Sequence, residues 1–385
     1  MSRENLRAVA LGVQTGVPIH AEGMPGDAKT SWAKGLGGAL GIPTVILTPS
    51  IYEPTDIGGY VAISYTIEPQ NESWAAIPRG ASLTGQWWAT LLSEHPGLLV
   101  VDEIKTLSRS LQAVSLRLIF ELRAGDTQLH PDTLVLALSN PADMSPDGRE
   151  LAAPLANRFC HLDWDMPLDT WGQAGMQASW QDGGRPVFKQ PTIPVADPSW
   201  RKKIPAQFAQ VFAFSKARPS LMRVVPKDIS KQGGAWPSLR TWTYVAQMLA
   251  ISDHDEEVCA ALLTGCVGTG PAMEYLGWKQ ALDLPDFAEL LIHPKQLKLP
   301  KEGDRQFAVL LGVVGEVARN LSDQTWVQGW EVLHYGTTQA PKDVVTVAAK
   351  SLAALRESKP TLPFPSKKLM EPFMEVLRSV GIRLD

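Results

Sequence analysis

Cysteine is scarce in this sequence: three residues, Cys160, Cys259 and Cys266, occur among 385. No two of them form a C-x-x-C pair, and an odd number cannot be fully paired within one chain. A disulfide framework or a structural zinc site needs more cysteines at closer spacing, so we expect neither here. The composition is typical of a protein in a reducing compartment.

Long apolar runs are absent as well. No stretch approaches the ~20 consecutive apolar residues that a membrane-spanning helix requires. The first residues, Met1–Asn5, lack the basic and then apolar pattern of a signal peptide. We therefore expect a cytoplasmic protein that has no membrane partner.

The sequence also has no excess of basic charge. It contains 36 Lys and Arg residues against 40 Asp and Glu residues, which gives a formal net charge of -4. A global positive field that would draw the chain onto nucleic acid is thus excluded, and we do not expect a nucleic-acid partner. Hydrophobic residues make up 44% and charged residues 20%, as in soluble globular proteins of two or three domains.

Residues 1–165 alternate short apolar runs with helical patterns, which predicts an α/β domain with a parallel sheet. The predicted strands are Val17–Ala21, Thr44–Leu47, Leu98–Val101, Thr133–Leu138 and Cys160–Leu162. The predicted helices between them are Ser31–Leu40 and Leu107–Arg123. Apolar residues recur at helical spacing in the second helix, so it has one buried face.

The second half of the chain has a different character. Residues Gln181–Pro205 are rich in Gly, Pro, Gln and Asp and lose periodicity, which predicts a long loop or a linker. Helical patterns dominate the remaining residues. They cover Pro237–Gly265, Phe307–Arg319, Trp326–His334, Asp343–Arg356 and a last helix around Leu369–Val380.

A phosphate-binding loop is predicted at Gly23–Thr30, between the first strand and the first helix. Glycines let the backbone wrap a phosphate chain, and the helix N-terminus supplies N–H donors. Lys29 would contact the β- and γ-phosphates, and the Thr30 hydroxyl would bind Mg²⁺. Ala28 stands where the G-x-x-x-x-G-K-[ST] pattern has its last glycine, so a plain Gly/Pro turn before a helix is the alternative.

Two further strands end in polar residues that suit the same chemistry. The apolar strand Leu98–Val101 is followed by Asp102, which can hold Mg²⁺, and Glu103, which can polarise an attacking water. The strand Thr133–Leu138 is followed by Ser139 and Asn140, whose amide could orient that water. The alternative for Asn140 is a turn residue before Pro141.

The order of these segments, together with Pro154–Phe159, resembles AAA+ ATPases of the MoxR-like group. That group commonly carries Ala before the lysine of the loop, in agreement with Ala28. The core motifs cover residues 5–165, the match to about residue 280 is looser, and the last hundred residues resemble no family. The resemblance implies an α/β P-loop nucleotide-binding core at 1–165, a linker and helical lid at 166–285, and a helical C-terminal extension at 286–385.

The resemblance also implies roles for three residues outside the loop. Arg158 corresponds to an arginine finger that reaches the ATP of a neighbouring subunit; its alternative is a surface arginine that caps a helix. Arg240, in Pro237–Arg240, corresponds to a second sensor at the γ-phosphate, in cis or in trans; its alternative is a solvated helix residue. Tyr60, at the end of Thr55–Tyr60, either contacts a partner near a central pore or has a packing role. Arg123–Thr127 is predicted to be a hairpin.

The predicted site thus has three parts. The catalytic residues are Glu103, Asn140, Arg158 and Arg240, and the metal ligands are Thr30 and Asp102. The nucleotide-binding residues are Gly23, Met24, Pro25, Gly26, Asp27, Ala28, Lys29, Thr30, Ser31 and Asp102. The expected cofactors are ATP and Mg²⁺.

The function implied by the resemblance is hydrolysis of ATP by a homo-oligomeric ring, with a hexamer favoured, that remodels or matures a protein partner. Because MoxR-like ATPases commonly act with von Willebrand A-type proteins, such a protein is the expected partner. A nucleic-acid motor stays open, although the acidic and aromatic Asp56–Tyr60 segment argues against it. A nucleotide-dependent assembly switch also stays open, against the presence of Glu103. A small-molecule P-loop kinase fits less well, because Arg158 suits a ring.

Overall fold

The structure is a computed structural model that describes residues 2–48, 53, 60–70, 73–84, 86–144, 149–181, 185–187, 192–252 and 255–374. The chain forms two compact units. The first contains Met1–Ala196, Pro226–Trp236 and Asp255–Cys266, and the second contains Asp197–Val225, Pro237–His254 and Val267–Asp385. No helix in the described ranges is long and apolar enough to cross a membrane.

The first unit is built on a five-stranded parallel sheet. Its strands are β1 (Ile19–Glu22), β2 (Thr44–Leu47), β5 (Leu98–Val101), β8 (Leu134–Ser139) and β9 (Cys160–Asp163), in the spatial order β2-β5-β8-β1-β9. All four residues of β5 are buried, as expected of an apolar strand that is covered on both faces. The strand β1 lies between β8 and β9, so the polar residues that follow β1 and β8 meet at one edge.

Helices accompany these strands along the chain. They are α1 (Ser2–Val13), α2 (Lys29–Leu40), α3 (Trp87–Glu94), α4 (Arg109–Glu121), α5 (Ala153–Ala156), α6 (Leu168–Met176) and, later in sequence, α9 (Glu256–Val267). Ser108 caps α4 by accepting the Leu111 N–H, and Gly41, which follows α2 with a positive φ of 68°, caps the C-terminus of that helix. Leu111 and Leu118 of α4 pack with Leu99 and Val135 in one hydrophobic core.

Three antiparallel hairpins complete the described part of this unit. They are β3–β4 (Tyr60–Gln70 with Ser73–Thr84), β6–β7 (Arg123–Ala124 with Thr127–Gln128) and β10–β11 (Ser179–Gln181 with Arg185–Val187). The β6–β7 hairpin turns at Gly125, which has a φ of 58°.

The second unit is helical in its described residues. Its helices are α7 (Ile204–Ala217), α8 (Leu239–Ser252), α10 (Thr269–Gln280), α11 (Phe287–Ile292), α12 (Gly303–Arg319), α13 (Asp323–Gly336), α14 (Lys342–Ser358) and α15 (Lys367–Met370). Packing is close: a Cβ at Gly315 would lie 2.7 Å from the Ala206 Cα, so glycine lets α12 approach α7. Tryptophans anchor the core, and Trp242 and Trp330 are each 1% exposed.

The predicted fold class is confirmed: an α/β P-loop domain with a parallel sheet is followed by helices. All five predicted sheet strands and the Arg123–Thr127 hairpin are present; two strands have the predicted bounds, and the ends of the other three differ by at most two residues. The predicted loop over Gln181–Pro205 is wrong in part, because β10, β11 and a 3₁₀ helix at Pro198–Lys203 lie there. Residues 55–59 and 375–380, which hold a predicted pore loop and the end of a predicted helix, lie outside the described residues.

Candidate functional site

The loop between β1 and α2 has a backbone that departs twice from ordinary geometry. Gly26 has a φ of 89°, and Ala28, the residue before α2, has a φ of 55° and a ψ of 20°. A left-handed conformation is natural for glycine and costs alanine about 1–2 kcal/mol. The structure therefore keeps, at Ala28, the geometry of the glycine that the general loop pattern has at this position.

Gly23 is required for a different reason. A Cβ at this position would lie 2.4 Å from the Trp164 carbonyl oxygen, a backbone atom that cannot rotate away. The Gly23 N–H donates to the Ser139 carbonyl (3.2 Å), and the Trp164 indole Nε1 donates to the Asp27 carbonyl (2.9 Å). The loop is thus tied to β8 on one side and to the residue after β9 on the other.

Lys29 is the first residue of α2, and its side chain is buried under the loop at 7% exposure. Its Nζ donates to the carbonyl oxygens of Gly23 and Met24, both at 2.7 Å, and to Asn140 Oδ1 at 2.9 Å. Burial lowers the pKa of Lys29, and the nearby carboxylates of Asp27, Asp102 and Glu22 oppose that shift. The ammonium group therefore links the loop to the polar end of β8.

The hydroxyl of Thr30 donates to Asp102 Oδ2 at 2.7 Å, which brings the end of β5 to the start of α2. The other oxygen of Asp102 accepts the N–H of Glu103 at 3.0 Å. Glu103 has a φ of 56° and caps a short 3₁₀ helix at Ile104–Thr106. This left-handed residue bends the chain immediately after β5, so Glu103 stands at the same sheet edge as Asp102.

These groups fit a nucleotide with a divalent cation. The Trp32 N–H donates to the carbonyl of Ala28, the residue before α2. The amides of Lys29 and Thr30 therefore come before the first helical hydrogen bond, where a helix N-terminus favours an anion. Asp102 and Thr30 supply the hard oxygen ligands that Mg²⁺ prefers. The sheet edge thus combines donors for phosphate oxygens with ligands for the cation.

Arg158 belongs to a different segment of the chain. It follows α5, and its Nη1 donates to the Pro154 carbonyl at 2.5 Å. Its guanidinium carbon lies 5.0 Å from the centre of the Phe120 ring on α4, and Phe120 is 44% exposed. The structure therefore presents Arg158 at a partly exposed position.

The structure brings together Gly23–Thr30, Asp102, Glu103 and Asn140 at one sheet edge, and Ser31 extends this group as the third residue of α2. Arg158 instead bonds to Pro154 and lies over the Phe120 ring. Arg240 is the second residue of α8 and belongs to the second compact unit. Tyr60 is the first residue of β3.

A polar cluster beneath the loop was missed by the sequence reasoning. His20 of β1 and His161 of β9 are paired in the sheet register, and their Nδ1 atoms lie 3.0 Å apart. His20 Nε2 lies 2.8 Å from Ser139 Oγ, and His161 Nε2 donates to the Ala156 carbonyl at 2.9 Å. The signal available in the sequence was a histidine inside each of two predicted strands, but only the pairing of β1 with β9 joins them.

Two ion pairs border this cluster. Lys105, which is 4% exposed, contacts the Glu22 carboxylate and lies 3.4 Å from Glu150 Oε2. Burial lowers the pKa of His20 well below its usual value, and His161 and Lys105 add to the shift. Burial also lowers the pKa of His161 to about 4, against the opposing hydrogen bond to Ala156. Both rings are therefore neutral at pH 7.

Comparison with known proteins adds little beyond this geometry. No family model matches the chain, and no curated protein matches it. Among solved structures, a candidate ATPase from Cytophaga hutchinsonii is 16% identical with a TM-score of 0.36, over 76% of this chain and 88% of that one. NtrX from Brucella abortus is 14% identical with a TM-score of 0.28, over 91% and 67%.

NtrX from Brucella abortus in complex with ADP is also similar, with 14% identity and a TM-score of 0.27, over 93% of this chain and 67% of that one. TM-scores this low carry no argument about function. The function proposed for this chain therefore rests on its own residues and their contacts.

Proposed function

We propose that this chain is an ATP-hydrolysing P-loop ATPase of the AAA+ type. One observation carries the proposal: where three neighbouring parallel strands end, Lys29 bonds to Asn140 at 2.9 Å and Thr30 bonds to Asp102 at 2.7 Å. A buried ammonium, an amide, a hydroxyl and a carboxylate at the N-terminus of a helix are the groups that phosphoryl transfer to water requires.

Each residue has a distinct task in this proposal. The loop amides and Lys29 hold the β- and γ-phosphates, and Thr30 and Asp102 hold Mg²⁺, which neutralises charge on the phosphate oxygens when bound. Glu103 accepts a proton from the attacking water, and Asn140 orients that water. The products are ADP and inorganic phosphate.

The working form that we propose is a homo-oligomeric ring, with a hexamer favoured. Arg158 supports it, because a guanidinium displayed beside exposed Phe120 can stabilise charge on a γ-phosphate brought by a neighbouring chain. Arg240 would act as a second sensor within that assembly. The remodelling of a von Willebrand A-type protein rests on the motif resemblance alone.

The experiment that tests this function is Lys29→Ala, measured by calorimetric ATP titration and by release of phosphate. Loss of the ammonium should weaken ATP binding on the order of a hundredfold, the loss typical of removing hydrogen bonds to a charged group. Lys34→Ala is the matched control, because Lys34 is an exposed lysine on the same helix. Unchanged ATP affinity in Lys29→Ala would contradict the loop as the ATP-binding site. ATP binding without turnover in the unaltered protein would favour a nucleotide-dependent assembly switch.

A further inference from the structure

The hydrogen bonds among Ser139, His20 and His161 can be assigned a single direction. The Ala156 carbonyl only accepts, so His161 Nε2 carries the hydrogen, and His161 Nδ1 is the acceptor of a neutral ring. His20 Nδ1 must then donate to His161, which leaves His20 Nε2 to accept from the Ser139 hydroxyl. We name this series, Ser139 to His20 to His161 to the Ala156 carbonyl, the histidine chain.

The distances around Ser139 agree with this direction. Ser139 Oγ lies 2.8 Å from His20 Nε2 and 3.5 Å from Glu22 Oε2, so the hydroxyl hydrogen belongs to the shorter contact. The opposite direction would set two Nδ1 lone pairs against each other at 3.0 Å. The histidine chain therefore has one arrangement as long as both rings are neutral.

One end of the histidine chain lies beside Asn140, and the other end lies at the turn that contains Arg158. At one end, the Ser139 carbonyl accepts the Gly23 N–H, and the next residue, Asn140, accepts from Lys29. At the other end, the Ala156 carbonyl also accepts the Phe159 N–H at 3.0 Å, which closes the turn that contains Arg158. The histidine chain crosses the strands β8, β1 and β9 between these ends.

We propose that His20 and His161 are positioning residues for Arg158, which hold its turn at a fixed place relative to the strand that carries Asn140. The inference rests on the proposed role of Arg158 in hydrolysis. His161 acts through the Ala156 carbonyl, and His20 acts through His161. Loss of the His161 side chain removes one of the hydrogen bonds that hold the turn of Arg158, while the contacts of Lys29 and Thr30 stay in place.

The surroundings favour a neutral and rigid chain. Phe159 packs against both rings, with ring centres 5.9 Å from His20 and 6.2 Å from His161. Among the described charged groups beside the histidine chain, Lys105 pairs with both Glu22 and Glu150. The positive charge of Lys105 disfavours a second positive charge on either histidine.

The first test reads the histidine chain directly and needs no nucleotide. Ring nitrogens of ¹⁵N-histidine-labelled protein, assigned with His20→Gln and His161→Gln, report the tautomers by NMR at pH 7. The expected result is a hydrogen on Nε2 of His161 and on Nδ1 of His20. A ring with hydrogens on both nitrogens, or a hydrogen on Nε2 of His20, would contradict the hydrogen-bond directions assigned to the histidine chain.

The second test is a double-mutant cycle between His161→Phe and Arg158→Ala, read by steady-state hydrolysis at saturating ATP. We expect His161→Phe to lower kcat about tenfold while the ATP affinity stays within about twofold, and to have almost no further effect in Arg158→Ala. His161→Gln keeps a donor for the Ala156 carbonyl and should restore part of the rate. If His161→Phe does not fold, His161→Gln takes its place in the double-mutant cycle.

Cys160→Ala is the matched control, because Cys160 is the buried neighbour of His161 on β9 and bonds to Leu262 instead of the turn. It should leave kcat within about twofold of the unaltered protein. Additive effects of His161→Phe and Arg158→Ala, or an equal loss in Cys160→Ala, would overturn the positioning role. Absence of hydrolysis in the unaltered protein would instead contradict the proposed function, and the role of His161 with it.

Discussion

The two cations of the proposed site, Lys29 and Arg158, are held in opposite ways. Lys29 is 7% exposed, and its ammonium donates to three acceptors from the loop and from the end of β8. Arg158 is partly exposed, bonds to Pro154 four residues before it, and lies over an exposed ring. This difference agrees with the proposed function, in which Lys29 binds the ATP of its own chain and Arg158 acts on the ATP of a neighbouring chain.

The largest expected effect is on the hydrolysis rate when Arg158 is removed. Arg158→Ala should bind ATP with unchanged affinity and lose about 10³–10⁵ in hydrolysis rate, because the charge on the transferring phosphoryl group goes uncompensated. An exposed ion pair contributes far less than that. Equilibrium binding and single-turnover phosphate release, measured on the same preparation, check both parts of the prediction.

Mixing Arg158→Ala with Lys29→Ala sharpens the comparison between the two cations. One variant keeps its loop and the other keeps its arginine, so shared rings contain junctions at which both are intact. Activity should partly return on mixing. If co-assembly is demonstrated and no ratio restores activity, the arginine does not act across a subunit boundary.

The next effect separates the site of binding from the site of chemistry. Glu103→Gln removes the proposed base and leaves Lys29, Thr30 and Asp102 unchanged, so ATP should bind while hydrolysis slows by about 10²–10⁴-fold. Nucleotide trapping on the protein and the turnover rate are the measurements. A variant that turns over at the parental rate would make Glu103 a structural residue.

A smaller effect concerns the histidine chain that lies between the two cations. The pKa of His161 is about 4 in the folded protein, against roughly 6.5 in an unfolded chain. Between these values the unfolded state binds more protons, so stability is present above pH 6.5 and falls as the pH falls. From pH 7 to pH 5, His161 should contribute a loss of about 1–2 kcal/mol in the free energy of unfolding.

Urea unfolding at several pH values measures this slope, and His161→Gln should flatten it. A slope that is identical in the two proteins would mean that His161 titrates alike in the folded and unfolded states. Cys160→Ala serves again as the control, since it removes buried volume on β9 without removing a titrating imidazole.

The smallest expected effect is at the backbone of the loop. Ala28→Gly relieves a left-handed alanine worth about 1–2 kcal/mol, but the unfolded chain gains freedom worth roughly 0.5–1 kcal/mol. The net expectation is a stabilisation of about 0.5–1 kcal/mol in chemical denaturation. A clear loss of stability would show that the loop does not hold Ala28 at positive φ.

Sequence reasoning found the parts of the molecule that local patterns encode. The apolar strand Leu98–Val101 and the glycine-containing loop can be recognised from a few residues each, and their strand-loop-helix order predicts the sheet edge at which they meet. The long hairpin β3–β4 was missed because Pro69, Pro78 and Gly80 argue against strands. The register between those two strands is a property of the pairing and not of either segment.

The histidine chain and the Lys105 ion pairs could not be predicted for a related reason. His20 and His161 are 141 residues apart, and their contact requires that β1 and β9 be neighbours in exact register. Lys105 lies in a polar stretch after Glu103, which a sequence pattern assigns to the surface, yet the fold buries it against Glu22. Contacts between residues that are far apart in the sequence can be predicted only when the strand order is known.

Trp164 gives this loop an optical consequence. Its indole donates to the Asp27 carbonyl, and its ring meets the Trp32 ring edge-on at 5.0 Å between centres. Indole emission responds to the hydrogen bond at Nε1 and to the polarity around the ring. A movement of the loop that alters either contact should therefore change the fluorescence of this tryptophan pair, which is an intrinsic reporter beside the Gly23–Thr30 loop.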